Sequence, residues 1–490
     1  MKILLVSPKT PDTFWSFKHA VHFVSRKASM PPLGLLTVAA MLPRDWNLKL
    51  VDANVSRLRD EDLQWADYVL LGAMIVQKDS VHEIAARCAA LGKTVIAGGP
   101  LFTTGHEAFP QIQHFVLGEA EEIMPQVVED MRQARVQPLY QAPHRPDVTH
   151  TPIPRWDLID FQNYVTLSAQ FSRGCPFDCE FCDIIVMNGR LPRLKTPEQF
   201  IAELDVLRLR GWEDMVFIVD DNFIGNKPRT KALLHSLIEW RARTRTKIRF
   251  LAEASMNLAD DPELYELMVQ AGFKKVFVGI ETPSLEALAE CHKVQNRNRD
   301  LVASVQTLQS AGLEVMGGFI VGFDSDKKDI FKRQFEFIQR SGVATAMVGL
   351  LTALPQTRLW HRLKREGRLE MESSGNNLDA EMNFQPKMNR EFLQTGYREL
   401  MKKLYEPHNY YQRVRTFLKR HTTTGPRRRL SRAEVMAFLK SFWMLGMWHR
   451  GRVGYWRLFW GTLLRRPRKF PQAIELAIIG YHFRCVARKL

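Results

Sequence analysis

The chain has 490 residues, enough for two to four domains, and its 45% hydrophobic content is ordinary for a globular protein with sizeable cores. Its six cysteines form no disulfide framework and fit a reducing cytoplasm, and with no uncharged apolar run of eighteen and a start (MKILLVSPK) unlike a signal peptide, no membrane span or leader is expected. The net charge of +16 belongs to the tail: residues 411–490 hold 19 Lys and Arg against two acids, Glu434 and Glu475, while the first 410 residues are near neutral.

Residues 1–132 alternate short apolar runs with helical stretches, the pattern of a parallel sheet wrapped by helices. The runs are Lys2–Ser7, Leu48–Asn54, Tyr68–Met74, Thr94–Pro100 and His114–Glu121. Five such units predict a doubly wound fold, which takes ligands at the carboxyl ends of its strands. Gly72, Gly98, Gly99 and Gly118 sit at those ends, where backbone can approach a large ligand, although glycines there are also ordinary turn punctuation. Residues 133–160 carry Pro138, Pro143, Pro146, Pro152 and Pro154 and read as a linker.

Strand and helix alternation resumes over 161–394, with six β-type runs: Val165–Gly174, Met215–Asn222, Ile248–Asn257, Lys275–Pro283, Glu314–Phe323 and Ala344–Pro355. Six repeats suit a partial (β/α) barrel. After its first strand comes RGCPFDCEFC, in which Cys175, Cys179 and Cys182 are spaced to wrap one inorganic centre. No fourth Cys or His lies within ten residues, so three thiolates leave an iron-sulfur cluster with one open iron. A distorted zinc knuckle and a redox CxxC pair are the alternatives on ligand count.

CxxxCxxC with Phe181 before the last Cys resembles the signature of radical S-adenosylmethionine (SAM) enzymes. The resemblance implies a four-iron four-sulfur (4Fe-4S) cluster on the three Cys, its open iron taking the amino and carboxylate groups of SAM. It also implies one-electron cleavage of SAM to a 5'-deoxyadenosyl radical, and hence a reducing electron-transfer protein as partner. The wider chain is similar to the cobalamin-binding branch of that family, including members that methylate hopanoid lipids. By that similarity the first domain is a cobalamin-binding one, with Gly72, Gly98, Gly99 and Gly118 as its candidate contacts. Many such domains supply a His to cobalt from Asp-x-His-x-x-Gly after the first strand. Here that loop reads PKTPDTFWSF, and His19 and His22 lack the spacing, so cobalamin is expected without a His on cobalt.

Polar residues gather at the barrel strand ends: Asp220, Asp221, Asn222, Glu253, Ser255, Asn257 and Glu281. They face one mouth, or they cap the following helices. The resemblance makes Glu281 and the Gly317–Gly322 run, with Gly318 and Gly322, the better SAM candidates beside Asp221, Asn222 and Glu253. Cys291, in a helical stretch, reads as structural.

Residues 395–490 mix helix-like apolar positions with basic clusters, Arg427–Arg429 and Arg465, Arg466, Arg468 and Lys469, and with Trp443, Trp448, Trp456 and Trp460. We read a helical cap that packs its aromatics on the barrel, with contact to an anionic membrane surface as its use. Nucleic acid is the weaker partner, because the aromatics lie in apolar helical settings rather than in an RNA-binding motif. The expectation is an α/β protein: a doubly wound cobalamin-binding-type domain, a six-stranded partial barrel and a helical C-terminal region. Its expected work is cobalamin-dependent radical SAM methylation of an unactivated carbon in a small-molecule or lipid substrate, in the cytoplasm or peripherally at the inner membrane surface. The alternatives are a radical cyclisation, ring contraction or oxidation without methyl transfer, and nucleic-acid modification.

Overall fold

The computed structural model describes residues 1–376, 378–425 and 430–490; the basic run Arg427–Arg429 lies outside them. The first sheet is wholly parallel and contains β1 (Lys2–Ser7), β2 (Asn47–Asp52), β3 (Tyr68–Gly72), β4 (Thr94–Gly98), β5 (His114–Leu117) and β6 (Leu139–Gln141), in the order β2-β1-β3-β4-β5-β6. Helices cover both faces, so the inner strands are apolar on both sides. Leu4, Val6, Val69 and Leu71 enter one core, while Ile3, Leu5, Leu70 and Ile96 enter the other. The chain reverses its direction of travel across the sheet between β2-β1 and β3, the switch point where such sheets take ligands.

β6 corrects the linker expected over 133–160. Three of its residues pair in parallel with β5, and Tyr140 is buried with its hydroxyl donating to Asp130 (2.8 Å). A three-residue edge strand with one buried side chain leaves no period-two pattern to read.

The second sheet holds β7 (Leu167–Ala169), β10 (Met215–Ile218), β11 (Arg249–Ala254), β12 (Phe273–Glu281), β13 (Glu314–Val321) and β14 (Ala346–Leu350), all parallel and in chain order. This is the open, partial barrel predicted from six repeats. Its helices start and stop where side chains dictate: Thr196 accepts from the Gln199 amide ahead of Pro197, and Gly272, at φ 100°, closes Pro262–Ala271 in the left-handed region. Between β7 and β10 a short antiparallel pair, β8 (Ser172–Arg173) with β9 (Arg193–Leu194), brackets the loop that carries the three cysteines.

The C-terminal helices complete the barrel from outside its mouth. The helix Arg390–Tyr405, with Pro407–Arg420 packed on it, covers the edge strand β14: the Tyr397 hydroxyl donates to the Val348 carbonyl (3.1 Å) and the Ala346 amide donates to the Tyr405 hydroxyl (3.2 Å). The helix Phe470–Ala487 lies against the other end of the strands, where Lys275 pairs with Glu475 (2.6 Å) and Gln472 donates to Glu314 (3.1 Å). Its apolar residues join the barrel core. The aromatics of this region divide, which the cap reading missed: Tyr455, Phe459 and Trp456 turn inward, while Trp443, Trp448 and Trp460 are exposed.

Candidate active site

The cysteine loop is held by the acids that end β10. Buried Asp220 accepts from the Phe171 and Ser172 amides (2.7 and 2.9 Å) and from the Ser172 hydroxyl. Asp221 accepts from the Gly174 amide (2.7 Å) and from the Asn188 side chain (2.9 Å), and the Cys175 amide donates to the Gly189 carbonyl. Gly174, at φ 101°, has three carbonyl oxygens within 3.2 Å of where a Cβ would stand, so only glycine fits this turn. Asn222 reaches the Cys175 sulfur (3.9 Å) and Ser255 (3.2 Å). Asp221, expected to contact SAM, thus accepts from the loop, while Asn222 divides its amide between the loop and Ser255.

The far side of the loop is pinned by charge. Arg362 donates to both Glu180 oxygens (2.7 and 3.2 Å) and reaches Asp324 after β13. The Glu180 amide donates to the Cys291 carbonyl (3.0 Å), which gives buried Cys291 a structural place beside the loop. Phe181 packs near Phe323 (6.3 Å between ring centres). All six cysteines are unpaired.

One cation sits among the thiols. Lys293 is buried and pairs with Glu281 (2.6 Å), whose backbone is left-handed at φ 64°. A Cβ on Gly279 would stand 2.4 Å from the Glu281 carboxylate and 2.8 Å from the Lys293 amine. Burial pushes the Cys175 and Cys182 thiols up, and the Lys293 charge opposes this at both. Burial works against the Lys293 charge too, yet Glu281 and the thiols outweigh it and hold the amine above its ordinary value. Gln295 adds a donor to the Cys179 sulfur (3.7 Å). Three thiols flanked by amide donors and one buried cation fit an anionic iron-sulfur cluster.

Glu253, near the end of β11, has no side-chain hydrogen bond among the described residues. Burial, with Asp221 and Asp220 nearby, pushes its carboxyl up to about 8, so it is protonated at neutral pH. By register it shares a face of the sheet with Leu251, Phe217 and Phe277. The loop after β1 docks on that face: Trp15 stacks on Phe217 (5.7 Å) and leans on Phe277 (5.0 Å), while Phe14 packs on Phe483. The segment that carries a cobalt-ligating His in many cobalamin domains is thus built into the barrel core. His19 contacts His482 and Asp12, and His22 is exposed.

The first sheet's carboxyl edge meets the barrel through the residues after β5. Arg173, two positions before Cys175, donates to Glu119 (2.6 Å) and Glu121 (2.7 Å), and Arg193 also holds Glu119 (2.6 Å). Of the four glycines expected there, three answer to packing: a Cβ on Gly72 would meet Leu35 at 2.9 Å, on Gly98 the Val116 carbonyl at 3.1 Å, and on Gly99 the Ala73 carbonyl at 3.0 Å. Gly118 differs, with φ 79° and open space where its Cβ would be, which fits a large ligand lying along the edge. In the barrel, a Cβ on Gly318 would meet the Phe277 ring at 3.0 Å. Gly322, at φ 103°, donates its amide to Asp326 (2.8 Å).

Sequence reasoning missed Lys293, Arg173 with Glu119 and Glu121, and the Arg362 staple. Arg173 opens the cysteine run and the EAE after Gly118 is acidic, a signal within reach; Lys293 and Arg362 carry none, because their partners lie 12 and 182 residues away.

Comparison with known proteins agrees with this geometry. Residues 21–128 match the B12 binding domain, 169–370 the Radical SAM superfamily, and 357–490 a domain of unknown function, DUF4070. An uncharacterized methyltransferase of Synechocystis sp. is 42% identical over 99% of this chain and 91% of its own length. The hopanoid C-2 methylase of Rhodopseudomonas palustris is 33% identical over 100% and 94%. In fold, the chain superposes on the cobalamin-dependent SAM radical enzyme OxsB, solved with aqua-cobalamin and SAM, with a TM-score of 0.63 at 14% identity over 100% of this chain and 79% of that one. The radical SAM methyltransferase TsrM of Kitasatospora setae, with cobalamin and a [4Fe-4S] cluster, gives 0.58 at 15% over 81% and 85%. Cysteine loop, opposed carboxyl edges and full-length relatives converge: the chain belongs to the cobalamin-binding radical SAM family, as a methyltransferase that uses a 4Fe-4S cluster, SAM and cobalamin.

Proposed function

We propose that the enzyme methylates an unactivated carbon of a hydrophobic substrate of lipid or isoprenoid type. The observation that carries this reading is the clamp of Arg173 and Arg193 on Glu119 and Glu121, which ties the cysteine loop to the carboxyl edge of the cobalamin-binding sheet. The full-length similarity to a hopanoid C-2 methylase supports the substrate class. When bound, the cluster with SAM supplies hydrogen abstraction from an inert carbon, and cobalamin supplies the methyl group.

The chain's own part is to hold and to exclude. Cys175, Cys179 and Cys182 anchor the cluster, Asp220 and Asp221 fix their loop, and Phe181 with Phe323 walls it from water. Lys293 neutralises part of the cluster's charge, with Glu281 as its partner. Glu281, Gly318 and Gly322 remain the candidate SAM contacts, and Gly118 the best of the cobalamin ones. Protonated Glu253 offers a hydrogen-bond donor inside the mouth. A reducing electron-transfer protein, and peripheral contact of the C-terminal region with a membrane, are the partners this reading calls for.

The test is anaerobic reconstitution with iron, sulfide and cobalamin, then reduction and methyl-labelled SAM. Label appearing on cobalamin, and then on an isoprenoid acceptor, is the expected result. Cobalamin that binds and stays unlabelled under reduction overturns the proposal.

A further inference from the structure

From Val435 to Ile474 the chain has no acidic residue and eight Lys or Arg. With Arg432–Glu434 ahead of it, this stretch folds as a hairpin of the helix Arg432–Ser441, whose first turn holds the one acid, Glu434, continued by a π-helical turn at Phe442–Trp448, and the helix Arg452–Arg465. Trp456 locks the two arms together, its indole donating to the Gly446 carbonyl (3.0 Å) and its ring packing on Phe442 (5.2 Å). The outward face is apolar where a surface helix is ordinarily polar. On the first arm Met436, Leu439, Trp443 and Met447 recur at spacings of three and four; on the second, Val453, Trp460 and Leu464, seven and four apart, share one face. Trp448, at the turn, is 84% exposed and Leu464 is 76% exposed.

Cations are interleaved with this face, Arg457 standing in the stripe between Val453 and Trp460. Arg450, Arg452, Arg457, Arg465 and Arg468 are exposed. We infer that the hairpin lies flat on an anionic lipid bilayer, Trp443, Trp448, Trp460 and Leu464 entering the headgroup and acyl boundary and the arginines meeting lipid phosphates. Three physical arguments select this occupant. A second copy of the same face is disfavoured, since it opposes one acid-free cationic surface with another. A nucleic acid gains from the arginines but has no use for Val453, Leu439, Leu464 and three exposed methionines, which partition into hydrocarbon. Tryptophan between arginines is the composition of the membrane interface, where rings sit at headgroup level and long cations reach outward. Among the described residues no helix is long and apolar enough to span the membrane, so the contact is in-plane.

This deepens the membrane contact proposed above and rests on it for its use alone: vesicle binding is read without turnover, so its failure and that of the methylation assay are separate results. The full-length protein is sedimented with vesicles of phosphatidylcholine, with and without phosphatidylglycerol. Binding is expected only with the anionic lipid and falls with salt. Each arginine changed to Gln at 452, 457 and 465 is expected to weaken it about fivefold. Trp443→Ser with Trp448→Ser is expected to weaken it at least tenfold and to leave the thermal unfolding midpoint and the cluster's visible spectrum unchanged, since both side chains are exposed. Absence of binding, equal binding by the variants, or a dimer in solution that the same substitutions dissociate overturns the inference.

Discussion

The barrel mouth and the facing edge of the first sheet do their work by different physics. At the mouth, ionisable groups are crowded out of water: burial raises the carboxyls of Asp220, Asp221 and Glu253, and Glu281 with the thiols holds the Lys293 amine above its ordinary value against burial. At the edge, three of the glycines are filled by neighbouring backbone and side chains, and what remains is shape, plus two glutamates spent on arginines of the other domain. One region is built to hold charge, the other to hold a large body. The mouth should therefore break through single charges and single donors, the edge through bulk and backbone.

The largest effect expected is at the thiols. Cys175→Ala removes one of the three anchors, and it is expected to abolish reductive cleavage of SAM. Deoxyadenosine from anaerobic incubation reads this directly; a measurable amount from the variant contradicts the assignment of the cluster.

Next is Lys293. Changing it to Met leaves Glu281 buried without its cation, and breaking such a pair costs about 3–5 kcal/mol. Adding Glu281→Gln is expected to recover most of the loss, because the orphaned charge is then gone. Denaturant unfolding of the two variants measures it, and additive losses would show that the pair is not coupled.

Glu253 makes the same contrast through pH. Its carboxyl rises in the fold from 4.5 to about 8, so the folded chain binds more protons than the unfolded one in between. Stability contributed by this group is whole below pH 4.5 and declines as pH rises toward 8. Glu253→Gln is expected to flatten that decline, with the gain over the parent growing from pH 5 to pH 8 in thermal unfolding. Glu121 runs the opposite way: burial alone would raise it, but Arg173 outweighs burial and lowers it, so the interdomain clamp weakens as pH falls below the ordinary glutamate range.

The same division decided what could be read in advance. Both sheets were legible because their apolar runs are long and evenly spaced, and the cysteine loop because its ligands are local in sequence. What Asp221 and Asn222 hold was not, because strand-end polar residues serve a ligand or the protein's own loop with equal sequence cues, and their bonds to the Gly174 amide, the Cys175 sulfur and Ser255 emerge only in the fold. Lys293 was invisible for a related reason: a buried lysine looks like any other until its partner, Glu281 at the end of β12, is placed. In the tail, helical spacing alone could not say which tryptophans turn inward, since the stripe of Trp456 and Phe459 and the stripe of Trp443 and Met447 are equally apolar.

The smallest effect separates shape from packing at the edge. Gly72→Ala drives a methyl to within 2.9 Å of Leu35, and the cost falls on the core of the first domain whether or not a ligand is bound. Gly118→Ala meets nothing within 4 Å; its only intrinsic cost is the left-handed backbone, about 1–2 kcal/mol. If the edge is where cobalamin lies, that methyl stands in the ligand's way, so Gly118→Ala is expected to weaken cobalamin binding at least tenfold while lowering stability only slightly. Gly72→Ala is expected to do the reverse, losing stability and keeping its affinity once folded. Cobalamin titration followed by absorbance, beside thermal unfolding of both apoproteins, resolves the two, and equal affinity for Gly118→Ala and the parent places the ligand elsewhere along the sheet.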